Sequence, residues 1–321
     1  MVDIAHKQVQ ANGINLHVAE AGDGPLVLLC HGFPELWYSW RHQIDALAAA
    51  GYRVVAPDQR GYGGSDRPEA VGAYTLLHLV GDMVGLLDAL GEESATIVGH
   101  DWGSMVAWNA ALLRPDRFPA VVGMSVPYAP RTPVSPLEIM KAMWKDRFFY
   151  MLYFQEPGKA EAELEADVAR TMRMTLYSAS GSVGEDFEPA MDLPVDSGFL
   201  DMMVDPAELP DWLGAADLAV YTEAFETTGF RGGLNWYRNW DRNWELMGAW
   251  NAAKVTVPAL FVAGKRDVVV ANAMAGPLLD MQATMVPDLR DMVMIDGAGH
   301  WVQQEAPDAV NTALVEFLSG L

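Results

Sequence analysis

The stretch Val98-Gly99-His100-Asp101-Trp102-Gly103-Ser104 decides the predicted fold of this chain of 321 residues. It follows an apolar run and precedes a helical pattern, and its frame, Gly-x-Asp-x-Gly, is that of a nucleophile elbow. An elbow turns a strand sharply into a helix and exposes its central side chain, and the flanking glycines avoid Cβ clashes at the crowded turn. Serine normally occupies the centre, whereas this chain has Asp101. The stretch therefore predicts either an inactive elbow or a carboxylate nucleophile.

Strand and helix patterns alternate on both sides of the elbow. Residues 7–20 predict a hairpin around Asn12-Gly13, and a helical stripe opens at Thr75 and closes at Gly91. The predicted buried strands are Leu26–Cys30, Tyr52–Ala56, Ala95–Val98, Val121–Val126, Ala259–Ala263 and Met292–Ile295. This alternation predicts an α/β protein with a mostly parallel central sheet flanked by helices.

The middle of the chain has a different pattern. Residues 128–245 are rich in Met, Trp, Tyr and Glu and lack buried strand-like runs, and Glu161–Leu176 is the plainest helix among them. We expect a core of residues 1–127 and 246–321 with an all-helical cap, 128–245, inserted in it. Because open α/β sheets bind ligands at the carboxyl ends of their strands, we expect the cap to cover that edge.

Composition excludes several classes of function. Acidic residues outnumber basic ones 43 to 21, a formal charge of −22, so the basic footprint of a nucleic-acid binder is absent. No run approaches the length of a membrane span, and the first residues lack the apolar region of a signal peptide. We expect a cytoplasmic protein, in which the one cysteine, Cys30, is a small core residue.

A catalytic base is expected at the other end of the sheet. His300 lies on the glycine-rich loop Gly297-Ala298-Gly299, between the last strand and the last helix. Asp267 follows the strand before it, and this order of nucleophile, acid and histidine is that of an elbow enzyme. Asp291 and Asp296 are alternatives for the orienting acid. The expected role of Asp267 is to hold the imidazole tautomer and to stabilise the imidazolium.

Two backbone N–H groups are expected to form an oxyanion hole. One belongs to Trp102, directly after the elbow aspartate, and the other to Phe33 in the loop after the strand Leu26–Cys30. Pro34 has no N–H, so Phe33 is the better donor of that loop. His31 and His100 are expected to serve structural hydrogen bonds.

The aspartate restricts the chemistry. A carboxylate that displaces a leaving group from carbon becomes an ester, which water activated by a histidine can hydrolyse. The substrate then needs an electrophilic sp³ carbon, and both a carbon–halogen bond and a strained epoxide fit. The cap decides between them, because an epoxide oxygen leaves as an alkoxide and needs a proton donor.

Four segments together resemble the soluble epoxide hydrolases of the α/β-hydrolase fold. They are His31-Gly32-Phe33-Pro34-Glu35, the elbow Gly99–Gly103, Leu152–Gly158 and Gly229–Asn239. The likeness runs from about residue 7 to the C-terminus, and it is the cap segments together with Asp101 that make it specific.

This resemblance implies two cap tyrosines, Tyr150 and Tyr237, that donate protons to the epoxide oxygen and bind substrate together with Phe33 and Trp102; Tyr153 competes for the first position. It also implies a cis peptide bond at Phe33-Pro34 and a stand-alone hydrolase whose partners are a small apolar epoxide and water. No metal or organic cofactor is expected, and a homodimer stays open. The rival functions are a dehalogenase, which the tyrosines argue against, a hydrolase-fold receptor without turnover, and an esterase, which would need serine at the elbow.

Overall fold

Eight strands form one mixed sheet in the computed structural model, which describes residues 2–184, 192–271 and 275–321. The strands are β1 Ala5–Ala11, β2 Ile14–Ala21, β3 Leu26–Cys30, β4 Arg53–Pro57, β5 Thr96–His100, β6 Ala120–Met124, β7 Ala259–Gly264 and β8 Leu289–Ile295. Their spatial order is β1-β2-β4-β3-β5-β6-β7-β8. The hairpin β1–β2 and the pair β2–β4 are antiparallel, and every later pair is parallel, so β3 and β5–β8 end at one edge.

The helices lie before, between and after these strands. They are α1 Arg41–Ala49, α2 Leu76–Leu90, α3 Trp102–Leu113, α4 Pro136–Met143, α5 Tyr150–Tyr153, α6 Lys159–Leu164, α7 Val168–Ser178, α8 Ala215–Thr228, α9 Arg231–Tyr237, α10 Trp240–Leu246, α11 Ala275–Met285, α12 Val302–Glu305 and α13 Pro307–Ser319. Within the described ranges, no helix is long and apolar enough to cross a membrane.

The sheet is buried on both faces, and β3 illustrates why its sequence is apolar throughout. Side chains alternate along a strand, so Leu26, Leu28 and Cys30 join one hydrophobic cluster and Val27 and Leu29 join another. Helices α2 and α3 cover the first face, and α1 and α13 cover the second. This is the mostly parallel sheet flanked by helices that the alternating pattern predicts.

An inserted segment separates β6 from β7, and in its described residues it contains helices α4 to α10. The β-bridge between Arg147 and Pro194 lies outside the named strands. The predicted insertion of helices between two halves of the sheet is thus confirmed.

One predicted helix in this segment is wrong. Glu161–Leu176 was expected to be continuous, but α6 ends at Leu164 and α7 begins at Val168. Two carboxylates explain the break. Glu165 accepts a hydrogen bond from the N–H of Phe230, and Asp167 caps α7 by accepting one from the N–H of Arg170. Asp167 thereby supplies an acceptor for one of the N–H groups that have no carbonyl partner at the start of α7.

Candidate active site

The elbow places Asp101 between the end of β5 and the start of α3. Its backbone has φ 53° and ψ −120°, a region that residues other than glycine rarely adopt and that is typical of strained functional positions. The N–H of Asp101 donates to the carbonyl of Met124 (3.2 Å), and its Oδ1 accepts from the N–H of Phe33 (2.8 Å). The carboxylate therefore lies at the strand edge, with one oxygen already engaged by a backbone donor.

Gly103 allows this turn to be tight. A Cβ atom at this position would overlap the carbonyl of Cys30, the last residue of β3. The first turn of α3 therefore packs directly against the backbone of the neighbouring strand. The crowding that the Gly-x-Asp-x-Gly frame predicts is present at this glycine.

The structure brings His300 and Asp267 to Asp101. His300 Nε2 lies 3.6 Å from Asp101 Oδ2, and Nδ1 lies 3.0 and 3.1 Å from the two carboxylate oxygens of Asp267. Asp267 lies just after β7 and His300 just after β8, so both reach the edge at which β5 ends. The Asp267 side chain is fully buried and that of His300 is 6% exposed.

The alternative acids lie elsewhere. Asp291 is exposed within β8, and Asp296 is exposed and pairs with Lys265 at 2.7 Å on the surface. Asp291 Oδ1 accepts from the N–H of Met292, so these partners of the two carboxylates do not include His300. Of the three carboxylates considered from the sequence, Asp267 is the one beside the imidazole.

Charge sets the protonation of this trio. Burial opposes a charge on His300, but Asp267 and Asp101 outweigh burial and raise the pKa of the imidazole well above its usual range. Burial likewise opposes ionisation of Asp267, yet the adjacent His300 and the N–H of Val269 lower the pKa of this carboxyl. At neutral pH the resting site thus holds a charged imidazole beside an ionised Asp267.

Of the two predicted oxyanion donors, Phe33 lies in the loop after β3 and Trp102 directly follows Asp101 in the elbow. The N–H of Phe33 already points at Asp101, and the Phe33-Pro34 peptide bond is cis, as the resemblance implies. Trp102 is the first residue of α3, so its N–H has no carbonyl acceptor within that helix.

Tyr150 and Tyr237 approach the same region from the inserted segment. Tyr150 begins α5 and Tyr237 ends α9, and the centres of their rings are 6.1 Å apart. Burial and the negative charge of Asp101 raise the pKa of both phenols, so both keep their protons at neutral pH. The hydroxyl of Tyr153 instead donates to Glu163 Oε2 at 2.8 Å within the inserted segment.

Aromatic rings surround the two phenols. The ring of Tyr237 meets those of Phe33, Trp102 and Phe154 at centroid distances of 5.4, 5.1 and 5.1 Å, all at steep angles. In the part of the chain that the structure describes, no group of three or more His, Cys, Asp or Glu side chains could hold a metal ion. The arrangement places an elbow carboxylate, an imidazole with its neighbouring carboxylate, and two protonated phenols in apolar surroundings.

Comparisons with known proteins place the chain in a family. Residues 25–307 match the family of the alpha/beta hydrolase fold. The chain is 50% identical to epoxide hydrolase A of Mycobacterium tuberculosis, over 98% of this chain and 97% of that protein. It is 42% identical to epoxide hydrolase 3 of Siraitia grosvenorii, over 99% of both proteins. The crystal structure of epoxide hydrolase A from Mycobacterium thermoresistibile superposes with a TM-score of 0.94 at 51% identity, over 99% of each chain. The chain belongs to the epoxide hydrolase family of the α/β-hydrolase fold.

This member of the epoxide hydrolase family has a second buried acid–histidine pair behind the first. His100 Nε2 lies 2.7 Å from the carbonyl oxygen of His300 and donates to it, and His100 Nδ1 lies 2.6 Å from Glu35 Oε2. The same Glu35 oxygen accepts from the N–H of Gly32. Burial opposes its ionisation, but His100 and this N–H lower the pKa of Glu35 to about 2. The pair therefore links the loop of Phe33 to the loop of His300.

The role of Glu35 was missed from the sequence. His100 was expected to make structural hydrogen bonds, and it does, but nothing local indicates that its partner is a carboxylate 65 residues away. The one available signal is an acidic residue, Glu35, directly after Pro34 in a loop predicted to lie at the active site.

Proposed function

We propose that this chain converts an epoxide into a vicinal diol through a covalent ester on Asp101. The observation that carries the proposal is a carboxylate, in place of serine, at the apex of an elbow that two protonated phenols approach, the buried Tyr237 and the half-buried Tyr150. Membership of the epoxide hydrolase family supports the same reaction class. The aromatic surroundings of Tyr237 favour a small apolar epoxide, and water is the second substrate.

Ring opening is the first proposed step. Asp101 Oδ2, the oxygen that does not accept from Phe33, attacks one epoxide carbon, and the bond from that carbon to the epoxide oxygen breaks. Tyr150 and Tyr237 hold that oxygen and supply the proton that the developing alkoxide needs. The engagement of Tyr153 with Glu163 supports Tyr150 as the first donor. The product is a hydroxyalkyl ester of Asp101.

Ester hydrolysis is the second proposed step, and the first step prepares it. Alkylation removes the negative charge of Asp101, which is one of the influences that raise the pKa of His300. The imidazolium therefore gives up its proton more readily in the ester, and this proton restores the phenol that became a phenolate in ring opening. The neutral imidazole can then act as the base for water, while Asp267 keeps it oriented. Water attacks the ester carbonyl as His300 takes its proton, and the N–H groups of Phe33 and Trp102 stabilise the oxyanion. The bond from the Asp101 carbonyl carbon to the alkyl oxygen then breaks, the alkoxide takes a proton from His300 and leaves as the diol, and the regenerated Asp101 carboxyl returns its proton to the imidazole.

The inserted segment is proposed to act as a cap of residues 128–245 over the core of 1–127 and 246–321. It carries both phenols, so ring opening depends on its position above the strand edge. Three hydrogen bonds attach it next to the site: Trp236 Nε1 donates to the carbonyl of Arg60, Asn239 to that of Val71, and the N–H of Leu76 donates to Asn243.

The decisive experiment uses His300→Gln. Because Asp101 and both phenols remain, ring opening should proceed while hydrolysis stalls, and intact mass should rise by one substrate molecule. Peptide mapping should place the added mass on Asp101, and Asp101→Asn is the matched control that should stay unmodified. Absence of any adduct across fatty-acid, aryl and small aliphatic epoxides would contradict the covalent step.

A further inference from the structure

Glu305 joins two parts of the molecule that meet at His300. Its Oε2 accepts from the N–H of Gly181 (2.7 Å) and of Gly299 (2.9 Å), and its Oε1 accepts from the N–H of Trp301 (2.9 Å). Gly299 and Trp301 are the two neighbours of His300 in sequence, whereas Gly181 belongs to the inserted segment. One carboxylate thus accepts hydrogen bonds from three backbone N–H groups, one in the inserted segment and two in the loop of His300. These hydrogen bonds mark a contact between that loop and the inserted segment.

Further hydrogen bonds cross the same contact. The N–H of His300 itself donates to the carbonyl of Ala179 at 2.8 Å, and Trp301 Nε1 donates to the carbonyl of Leu176 at 2.7 Å. Arg266, next to the acid Asp267, donates from Nη1 to the carbonyl of Gly181 at 2.8 Å. The chain leaving α7 therefore lies directly on the loop that carries the histidine.

No side chain separates the two backbones at the centre of the contact. A Cβ at Gly181 would overlap the carbonyl of Gly297, and a Cβ at Gly299 would overlap the backbone at Ser180 and Gly181. The distance between the loops is consequently set by backbone packing and by the Glu305 carboxylate. A shift of residues 179–181 has to move the backbone of His300 with it.

We propose that Glu305 is a positioning residue for ester hydrolysis, which holds the loop of His300 against residues 179–181 of the inserted segment. The inference rests on the proposed function, because it assigns the residue to the second step of that reaction. The imidazole is held at its side chain by Asp267 and at its backbone by this contact. A displacement of a catalytic group by about 1 Å can reduce a rate roughly 100-fold, so such support has kinetic consequences.

The first step relies on other contacts, because the part of the inserted segment that carries Tyr237 is attached to the core by the hydrogen bonds of Trp236 and Asn239. Asp101 is held by the turn from β5 to α3 and by the N–H of Phe33, and the phenols lie on α5 and α9. None of the hydrogen bonds made by Glu305 involves these groups. Its loss should therefore slow hydrolysis of the ester and leave ring opening largely unchanged.

The test is Glu305→Gln, followed in single turnovers of styrene oxide by rapid quenching and intact mass. The amide keeps the shape but offers one acceptor oxygen in place of two, and its NH₂ group faces backbone donors. We expect the hydrolysis rate constant to fall roughly tenfold or more, and the ring-opening constant to stay within about twofold. Glu316→Gln, the same change at an exposed site on α13, is the control and should match wild type. Hydrolysis at the wild-type rate, or equal slowing of both steps, overturns the proposal.

A second variant and a second readout separate the possible failures. Glu305→Asp keeps the charge on a shorter side chain and should restore part of the lost hydrolysis rate; no recovery contradicts a role for the carboxylate. In Glu305→Gln, amide hydrogen exchange should become faster in residues 176–184 and in residues 297–301. Unchanged exchange in either stretch would contradict the proposal that Glu305 holds the two stretches together. This readout needs no turnover. If neither wild type nor His300→Gln forms an ester, the proposed function fails. Amide hydrogen exchange still tests whether Glu305 holds the two stretches together.

Discussion

The imidazole of His300 lies between two carboxylates, and their charges govern its titration. Its folded-state pKa is raised above the ordinary value of about 6.5. A group with a raised pKa stabilises the fold fully below its unfolded pKa, and this contribution is lost as the pH rises through the folded value. His300 should therefore stabilise the protein in mildly acidic solution more than in alkaline solution.

The corresponding prediction compares wild type with His300→Gln in thermal unfolding. The gap in Tm should be wide near about pH 6 and should shrink toward about pH 9 and above, because the imidazolium contribution disappears. Tyr237→Phe is the control, since it leaves both carboxylates beside His300 and should keep the wild-type pH dependence. A gap that does not vary with pH would contradict a raised pKa.

The two phenols allow a kinetic prediction. Tyr150→Phe and Tyr237→Phe should each slow ring opening, and the double variant should be nearly inert, because a positioned proton donor typically contributes about 10²–10⁴-fold. Pre-steady-state formation of the ester measures this step directly. Tyr153→Phe, whose hydroxyl bonds to Glu163, should leave ring opening near wild type. Near-normal turnover of the double variant would refute the assignment of the donors.

Site residues can be predicted from the sequence when the pattern that marks them lies close to them in the chain. Asp101, Asp267 and His300 each follow a recognisable strand, so their meeting at one edge could be predicted from parallel-sheet topology alone. Tyr150 and Tyr237 could be named only through resemblance, because a cap tyrosine has no local pattern of its own. Glu35 and Glu305 could not be assigned, since their partners His100 and Gly181 lie 65 and 124 residues away in the chain.

Among the elements, the break between α6 and α7 shows where periodicity misleads. An apolar stripe continues across residues 161–176, but the stripe does not reveal that Asp167 is an N-cap. The buried strands were easier to predict, because they are apolar runs bounded by turn residues. β3 has the predicted ends, and β5 begins one residue and ends two residues later than predicted.

The role of Asp167 as the N-cap residue of α7 can be tested by Asp167→Ala. The substitution removes the acceptor for the N–H of Arg170, and loss of an N-cap typically costs about 1 kcal/mol of stability. The free energy of unfolding from urea titration should fall by that amount, while Asp167→Ser, which retains a capping oxygen, should lose much less. Since α7 leads into residues 179–181, the alanine variant should also speed amide exchange there. Equal stability of the alanine and serine variants would contradict an N-cap role for Asp167.

At the scale of the whole molecule, the alternation of strands and helices is enough to predict the fold class, but not how the inserted segment docks. Docking uses side chains whose partners are backbone groups of the core, as with Trp236 on Arg60 and Asn243 on Leu76. Tyr38 and Arg41 of the core also meet Asp217 of α8, at 2.9 and 3.3 Å. Such contacts follow from the folded arrangement and leave no periodic trace in the sequence.

The inserted segment and the sheet should unfold together. One continuous hydrophobic cluster contains Leu28 and Ile97 of the sheet together with Phe154, Leu234 and Trp236 of the segment, so neither part can lose its partner without exposing apolar surface. Calorimetry should give a single transition whose van't Hoff and calorimetric enthalpies agree, with near-ultraviolet and far-ultraviolet dichroism changing at the same temperature. As a control, Asn243→Ala removes one hydrogen bond of the contact and should lower this Tm without splitting the transition. Two resolved transitions in wild type would mean that the segment folds independently of the sheet.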